Sequence, residues 1–361
     1  MYVNHSLMRT KIAEKLNTNE SYRKMPSARR FGNALGVSFW LRLLLLILDS
    51  THAVQALANS NKSSVSGRRR LGLLSFDLDD TLFCTSTVVQ DANRVMLQHM
   101  SSRFGCDTGV TEFQAATRNI RQGLTEPITY TELRKRAIGA EIERVTGITP
   151  SREIVDACFD VWLNERNASA GRNLLPHTVP SLQDIRERFP YACVGAITNG
   201  RGNPLHIDPL RDFFHFCVSG EDESVFPARK PNPGIYEKAL EVYQQAYTHH
   251  HLDDSYIWIH VGDCLANDVG ASAALGAHAI WYAADHVETE SAAVQLPPGK
   301  QPLYSTASQE DLQERARLAK DAQKTVSARI QSLQGLPAAI ERLLRAASVD
   351  ICVVHGGPSE S

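Results

Sequence analysis

Short apolar runs alternate with amphipathic stretches of helical period over most of the chain. Four runs of strand length occupy residues 71–76, 191–197, 257–261 and 277–282, and a fifth, shorter one occupies 328–332. The first four are nearly all apolar, which is typical of parallel strands that are covered by helices on both faces. The alternation therefore predicts an α/β fold built on a parallel sheet.

Helical patterns fill the intervals between these runs. Asn232 and Pro233 predict a helix start, because asparagine caps helices and proline suits the first helical position. Residues 84–185 are rich in helix formers and poor in strand-like runs, which predicts an all-helical insertion directly after the first strand. An insertion beside a ligand site can act as a lid.

Polarity rises again near the C-terminus. Residues 287–326 predict a surface insertion with a helix at 309–324, and 337–345 predict a final helix. The predicted organisation is a leader or disordered segment (1–70), a core (71–83 and 186–345) carrying a helical cap (84–185) and the surface insertion, and a tail (346–361).

The first 70 residues have the composition of a targeting leader. Asp49 is the only acidic residue from 21 to 70, where nine are basic. The apolar run 35–48 contains Arg42 and is shorter than the roughly 20 residues of a membrane span, so no stable span is expected. An Ala-Leu-Ala cleavage site at 56–58 and a basic, serine-rich piece follow. This order resembles the two-part leader of plastid proteins in algae with secondary plastids. Plastid import is favoured, and a mitochondrial, secretory or cytoplasmic location, or a short membrane anchor, remains open.

Composition excludes several function classes. The 361 residues carry a net charge of −2 at pH 7, and no basic stripe with interleaved aromatics is present, so nucleic-acid binding is not expected. Seven scattered cysteines form no CxxC pair, which argues against a disulfide framework or a zinc site. Three adjacent histidines, 249–251, cannot all face one ion and predict a solvated loop.

Polar residues capable of chemistry follow the apolar runs. Asp77 and Asp79 lie two apart after the first run, so they point the same way. Paired carboxylates raise one pKa unless a cation intervenes, which suits a nucleophile, a proton donor and a metal, although acidic turns are also common. The other candidates for the site lie after later runs in the chain and are Thr198, Asn199, Gly200, Lys230, Asp263 and Asp268.

Taken in order, DxDxT, Thr-Asn, Lys-Pro and GDxxxxD resemble the four-part signature of the haloacid dehalogenase-like hydrolases. The resemblance covers about residues 71–345. It implies a Rossmann-like parallel core, a helical cap of the C1 type and a Mg²⁺ cofactor, for which carboxylate oxygens are suitable ligands. Caps of this type close over small substrates.

The resemblance also implies a role for each residue. Asp77 is the nucleophile that becomes aspartyl-phosphate, and Asp79 protonates the leaving oxygen and then activates water. Thr198 and Lys230 stabilise the transferring phosphoryl group. Further phosphate-binding residues are expected to be Thr81, Asn199 and Gly200. The metal ligands are expected to be Asp77, the main-chain carbonyl of Asp79, Asp263 and Asp268.

Asp79 favours a phosphatase over a dehalogenase, because the dehalogenase branch lacks this second aspartate. A small phosphorylated metabolite is the expected substrate, and a monomer or homodimer the expected state. Residues 195–200, 260–263 and 268–270 look like the subgroup that hydrolyses FMN and phosphoribitylamino-uracil. The alternatives are a sugar phosphatase, including one for sialic acid phosphate, a phosphomutase, or a catalytically silent binding module.

Three cap residues, Tyr130, Arg134 and Arg136, are candidates to meet a ribityl or phosphate group of the substrate. Ordinary positions on a helix surface are the alternative interpretation for all three.

Overall fold

The centre of the protein is a six-stranded sheet whose strands are all parallel, in the order β3-β2-β1-β4-β5-β6. The computed structural model describes residues 69–246, 255–284 and 304–354. The strands are β1 (Arg70–Phe76), β2 (Cys193–Thr198), β3 (Phe216–Ser219), β4 (Tyr256–Gly262), β5 (His278–Tyr282) and β6 (Val326–Ile330). The α/β fold predicted from the sequence is confirmed.

Strand β1 is mostly apolar from Leu71 to Phe76 because it supplies both faces of the sheet. Side chains alternate along a strand, and Leu74 and Phe76 enter one hydrophobic cluster whereas Leu73 enters another. Helices α5 (Thr178–Arg188) and α8 (Leu336–Val354) cover the first cluster, and α6 (Pro233–Ala246) covers the second.

The edge strand β3 has no counterpart among the predicted strands. Its four residues form too short a run to be distinguished by apolarity alone. It packs closely on β2, since a Cβ at Gly195 would lie 2.2 Å from the ring of Phe216. Strand β6 lies two residues earlier than the predicted final strand.

Four helices between β1 and α5 build the cap around a hydrophobic cluster of their own, which includes Met96, Phe113, Ile138 and Trp162. They are α1 (Thr85–Phe104), α2 (Val110–Gln122), α3 (Tyr130–Thr146) and α4 (Arg152–Arg172). The predicted cap boundary at residue 185 is wrong, because α5 packs on the core through Leu182 and Ile185.

Three helical segments beyond α6 bear on the predictions. A π-helix, Leu265–Gly270, follows Asp263 and contains Asp268 of the GDxxxxD motif. Helix α7 (Gln309–Ala322) confirms the helix predicted in the insertion. Helix α8 extends to Val354, so the tail predicted to start at residue 346 starts later; Ala347 is buried and Ser348 accepts a hydrogen bond from the Arg69 N–H.

Several predictions fall on residues outside the described part of the chain. These are residues 1–68 of the predicted leader, the histidines 249–251, residues 287–303 of the insertion and residues 355–361 of the tail. The leader cannot extend to residue 70, because Arg70 begins β1. The leader and its plastid destination stay predictions. Within the described ranges, no helix combines the length and apolarity that crossing a membrane requires. The six cysteines from Cys84 to Cys264 form no disulfide.

Candidate active site

Four of the predicted residues meet at the carboxyl ends of β1 and β4, where the strand order reverses and open parallel sheets bind ligands. The Lys230 ammonium donates hydrogen bonds to Asp77 Oδ1 and, over 2.7 Å, to Asp268 Oδ1. Asp77, Asp263 and Asp268 each place one carboxylate oxygen within 4.8 Å of the others. Asp77 and Asp268, which lie 191 positions apart in the sequence, thus belong to one cluster.

Asp268 reaches this cluster because Gly262 has no side chain. A Cβ at Gly262 would lie 2.4 Å from the Asp268 side chain. The Cys264 N–H donates to Asp268 Oδ2 over 3.0 Å, and His260 Nε2 lies 3.7 Å from Asp268 Oδ1. The GDxxxxD spacing therefore fixes the position of a buried carboxylate.

Charge is unevenly shared between the two carboxylates beside Lys230. Burial raises the pKa of Asp77 to about 8, and Lys230 offsets only part of this increase. Burial also opposes ionisation of Asp268, but Lys230 and His260 outweigh it and lower its pKa to about 2. One ammonium group thus compensates one of the two buried charges.

The carboxylate cluster fits Mg²⁺. Three carboxylate oxygens within 4.8 Å of one another are the hard oxygen ligands that this ion takes. A divalent cation would also compensate the charge of Asp77, whose pKa of about 8 otherwise favours protonation at neutral pH. The Asp79 carboxylate is not part of the cluster, and its predicted contact through the main-chain carbonyl stays a prediction.

Asp79 is held by a cap residue instead. Arg166 of α4 donates to Asp79 Oδ1 over 2.9 Å, and the Thr85 hydroxyl lies 3.3 Å from the same oxygen. Arg166 is almost fully buried, whereas the Asp79 side chain is 28% exposed. The proton donor predicted for the leaving group is therefore oriented from the cap.

Asn199 fixes the position of Lys230. Its side-chain amide accepts from the Lys230 N–H over 2.8 Å and donates to the Lys230 carbonyl over 3.0 Å. Both Asn199 and Gly200 line the cavity above the carboxylates. The Thr-Asn-Gly turn is thus coupled to the Lys-Pro segment.

Two predicted phosphate-binding residues lie beneath the cavity rather than in its wall. The Thr81 hydroxyl donates to Asp77 Oδ2 over 3.4 Å, so Thr81 contacts the predicted nucleophile. Thr198 is fully buried, and its hydroxyl accepts from the Gly200 N–H over 3.2 Å. A contact of Thr198 with phosphate stays a prediction.

The C-terminal insertion also reaches the site, which corrects its prediction as a surface insertion. The Tyr304 hydroxyl donates to Asp80 Oδ2 over 2.8 Å, and Ser305 is buried. Asp80 Oδ1 accepts from the Thr85 N–H at the start of α1 over 3.0 Å. Burial raises the pKa of Asp80 to about 6. One carboxylate thus joins the core, the cap and the insertion.

A cavity of about 180 Å³ lies between these carboxylates and the cap. Tyr130 and Arg134 line it, so the surface interpretation is wrong for these two residues. Arg136 does not line it and instead pairs with Glu132 on the outer side of α3. Further lining residues that sequence reasoning missed are Trp162 and Arg166 from the cap and Thr306 and Arg315 from the insertion.

Glu221 anchors the cap to the core. Its fully buried carboxylate accepts from the N–H groups of Tyr130 and Thr131 over 2.9 and 2.8 Å, and from Arg229 over 3.1 Å. Arg229 also donates to the Ile128 carbonyl over 2.8 Å. The start of α3 is therefore held by two core side chains.

We expect Glu221→Gln to lower the free energy of unfolding by about 1–3 kcal/mol. The glutamine side chain is uncharged and has one acceptor oxygen, whereas the Glu221 carboxylate accepts from the N–H groups of Tyr130 and Thr131 with two. Urea unfolding followed by circular dichroism measures this change. Glu223→Gln is the matched control, since Glu223 is exposed and its replacement should change stability by less than about 0.5 kcal/mol. Equal stability of both variants would contradict the anchoring role.

Known proteins resemble this chain in sequence and in fold. The family model described as haloacid dehalogenase-like hydrolase matches residues 72–276. The 5-amino-6-(5-phospho-D-ribitylamino)uracil phosphatase YigB of Escherichia coli is 26% identical over 228 residues, covering 59% of this chain and 83% of the relative. A solved 2-haloacid dehalogenase from Pseudomonas syringae pv. Tomato has a TM-score of 0.51 at 22% identity, covering 76% of this chain and 99% of that one. The resemblance found in the sequence is confirmed.

Proposed function

Because the chain belongs to the haloacid dehalogenase-like hydrolase family, we propose that it is a Mg²⁺-dependent phosphomonoesterase acting on a small phosphorylated metabolite. The observation that carries the proposal is the pair Asp77 and Asp79. Both line one cavity, and separate partners, Lys230 and Arg166, hold them. A phosphate ester needs both a nucleophile and a proton donor, and the second aspartate supplies the donor.

The placement of these side chains supports the following chemistry. Asp77 attacks phosphorus and forms an aspartyl-phosphate, while Asp79 gives a proton to the leaving oxygen. Asp79 then takes a proton from the water that hydrolyses the intermediate. Lys230, buried against Asp77, stabilises the charge of the phosphoryl group. Mg²⁺ held by Asp77, Asp263 and Asp268 would supply additional charge compensation.

The cap limits the size of the substrate. Cap residues form one wall of the 180 Å³ cavity, which favours a metabolite over a folded phosphoprotein. FMN and 5-amino-6-(5-phospho-D-ribitylamino)uracil are the first substrates to test, since the similar relative from Escherichia coli is named for the latter. A sugar phosphate is the alternative substrate class.

We expect the full-length protein to release phosphate from phenyl phosphate with Mg²⁺ and to lose this activity in EDTA. Inorganic phosphate measured over time in both conditions is the test, and a panel of phosphorylated metabolites then identifies the substrate. Return of activity when Mg²⁺ exceeds EDTA controls for denaturation. Absence of phosphate release with each of Mg²⁺, Mn²⁺ and Co²⁺ would contradict the proposal. Phosphate release from FMN no faster than the background rate would exclude FMN as the substrate.

A further inference from the structure

The cap side of the cavity differs in charge from the core side. The carboxylates that line the cavity all come from the core: Asp77, Asp79, Asp80, Asp263 and Asp268. The charged cap residues in the wall are Arg134 and Arg166. The leaving group of a substrate whose phosphate sits at Asp77 extends toward these guanidinium groups, because the cap faces the phosphate-binding end of the core.

Arg134 is held firmly by neutral groups. Its Nη1 donates to Asn93 Oδ1 over 2.6 Å, and its Cζ lies 4.0 Å from the centre of the Trp162 ring. The Trp162 indole donates to the same Asn93 oxygen over 2.9 Å. The fully buried amide of Asn93 thus orients the side chains of both Arg134 and Trp162.

The charge of Arg134 has no carboxylate partner in the described ranges. Arg166 has one, since it pairs with Asp79 over 2.9 Å. Burial lowers the pKa of Arg134 to about 9, and the neighbouring charge of Arg166 lowers it further. A cation in this position is costly unless an acceptor approaches it.

Two other polar atoms of the wall lack a hydrogen-bond partner among the described residues. They are Arg166 Nη1 and Thr131 Oγ1, and both are buried. Arg134 itself uses one of its several N–H donors on Asn93. The wall therefore offers directed donors to a polar leaving group.

Resting on the proposed phosphatase function, we propose that Arg134 determines specificity by binding the leaving group, and that this leaving group carries a planar pair of acceptor atoms. A guanidinium presents coplanar N–H groups that match such a pair. A carboxylate has this geometry, and so does the edge of an oxidised flavin ring that carries the N1 and C2-carbonyl acceptors. Phosphates of plain polyols lack it.

The test compares substrates that differ in this group, using the full-length protein with Mg²⁺. The three substrates are phenyl phosphate, which has no acceptor pair, 3-phosphoglycerate, which has a carboxylate, and FMN, which has a ring edge. For Arg134→Gln we expect kcat/KM for the preferred acceptor substrate, relative to phenyl phosphate, to fall about 10- to 100-fold, as for the loss of a charged hydrogen bond. The substrate whose relative kcat/KM falls shows whether Arg134 binds a carboxylate or a ring edge.

Arg136→Gln is the matched control, because Arg136 lies two residues away on α3 and is exposed; its substrate ratios should equal those of the wild type. If Arg134→Gln does not fold, Arg134→Lys is measured in the same way, since it keeps the charge and removes the coplanar donors. If the Arg134 variants have the same ratios of kcat/KM between substrates as the wild type, the inference about Arg134 is overturned. Hydrolysis of phenyl phosphate by the same variants would still support the proposed function. A wild type that hydrolyses none of the phosphates would instead overturn the proposed function.

Discussion

Asp77→Asn is expected to lower kcat for phosphate release by about 10⁴-fold or more, in the range seen when a catalytic nucleophile is removed. The amide has the shape of the carboxylate but does not attack phosphorus. It can still accept a hydrogen bond from Lys230, which in the wild type contacts Asp77 Oδ1. The fold should therefore persist while turnover is lost. Phosphate release from phenyl phosphate, followed over hours at high enzyme concentration, measures the residual rate.

Asp212→Asn is the matched control for this variant. Asp212 is exposed in a short 3-10 helix, Arg211–Phe213, and does not line the cavity, so its replacement should leave kcat unchanged. Thermal unfolding of both variants shows whether each is folded. An Asp77→Asn protein that is folded and turns over at the wild-type rate would refute the assignment of the nucleophile.

The sequence was sufficient to predict the core of the site because of one regularity of parallel sheets. The residues that follow each strand meet at one edge, so Asp77 and Asp263 could be placed together from their order. Lys230 follows β3, a strand that was not predicted, and was assigned to the site through the resemblance of the Lys-Pro segment to the family signature. The conformation around them was less predictable. Asp268 lies in a π-helix rather than at a loop end, and Thr81 turns beneath Asp77 instead of into the cavity.

The cap and the insertion show why the remaining contacts could not be predicted. A helical period indicates which face of α4 is apolar, but not that Arg166 lies over Asp79, which depends on how the cap packs on the core. Tyr304 lies 224 positions from its partner Asp80, in a polar stretch whose composition suggests only a surface. We expect substrate specificity to depend on contacts of this kind.

Lys230→Met is expected to lower kcat/KM by about 10²- to 10³-fold, as for the loss of one group that stabilises transition-state charge. Without the ammonium, the buried carboxylates of Asp77 and Asp268 face each other with no cation between them. Breaking a buried ion pair from one side costs about 3–5 kcal/mol of stability. Urea unfolding in EDTA should show this loss, and Mg²⁺ should restore part of it.

A second substitution separates charge from packing in this variant. If uncompensated charge causes the instability, Lys230→Met combined with Asp268→Asn should be more stable than Lys230→Met alone, because one buried charge is removed. Lys238→Met is the matched control: Lys238 pairs with Glu241 on the solvent side of α6, and exposed pairs contribute about 1 kcal/mol or less. A Lys230→Met protein as stable and active as Lys238→Met would show that Asp77 and Asp268 do not depend on the ammonium, and the charge arrangement proposed for the site would be wrong.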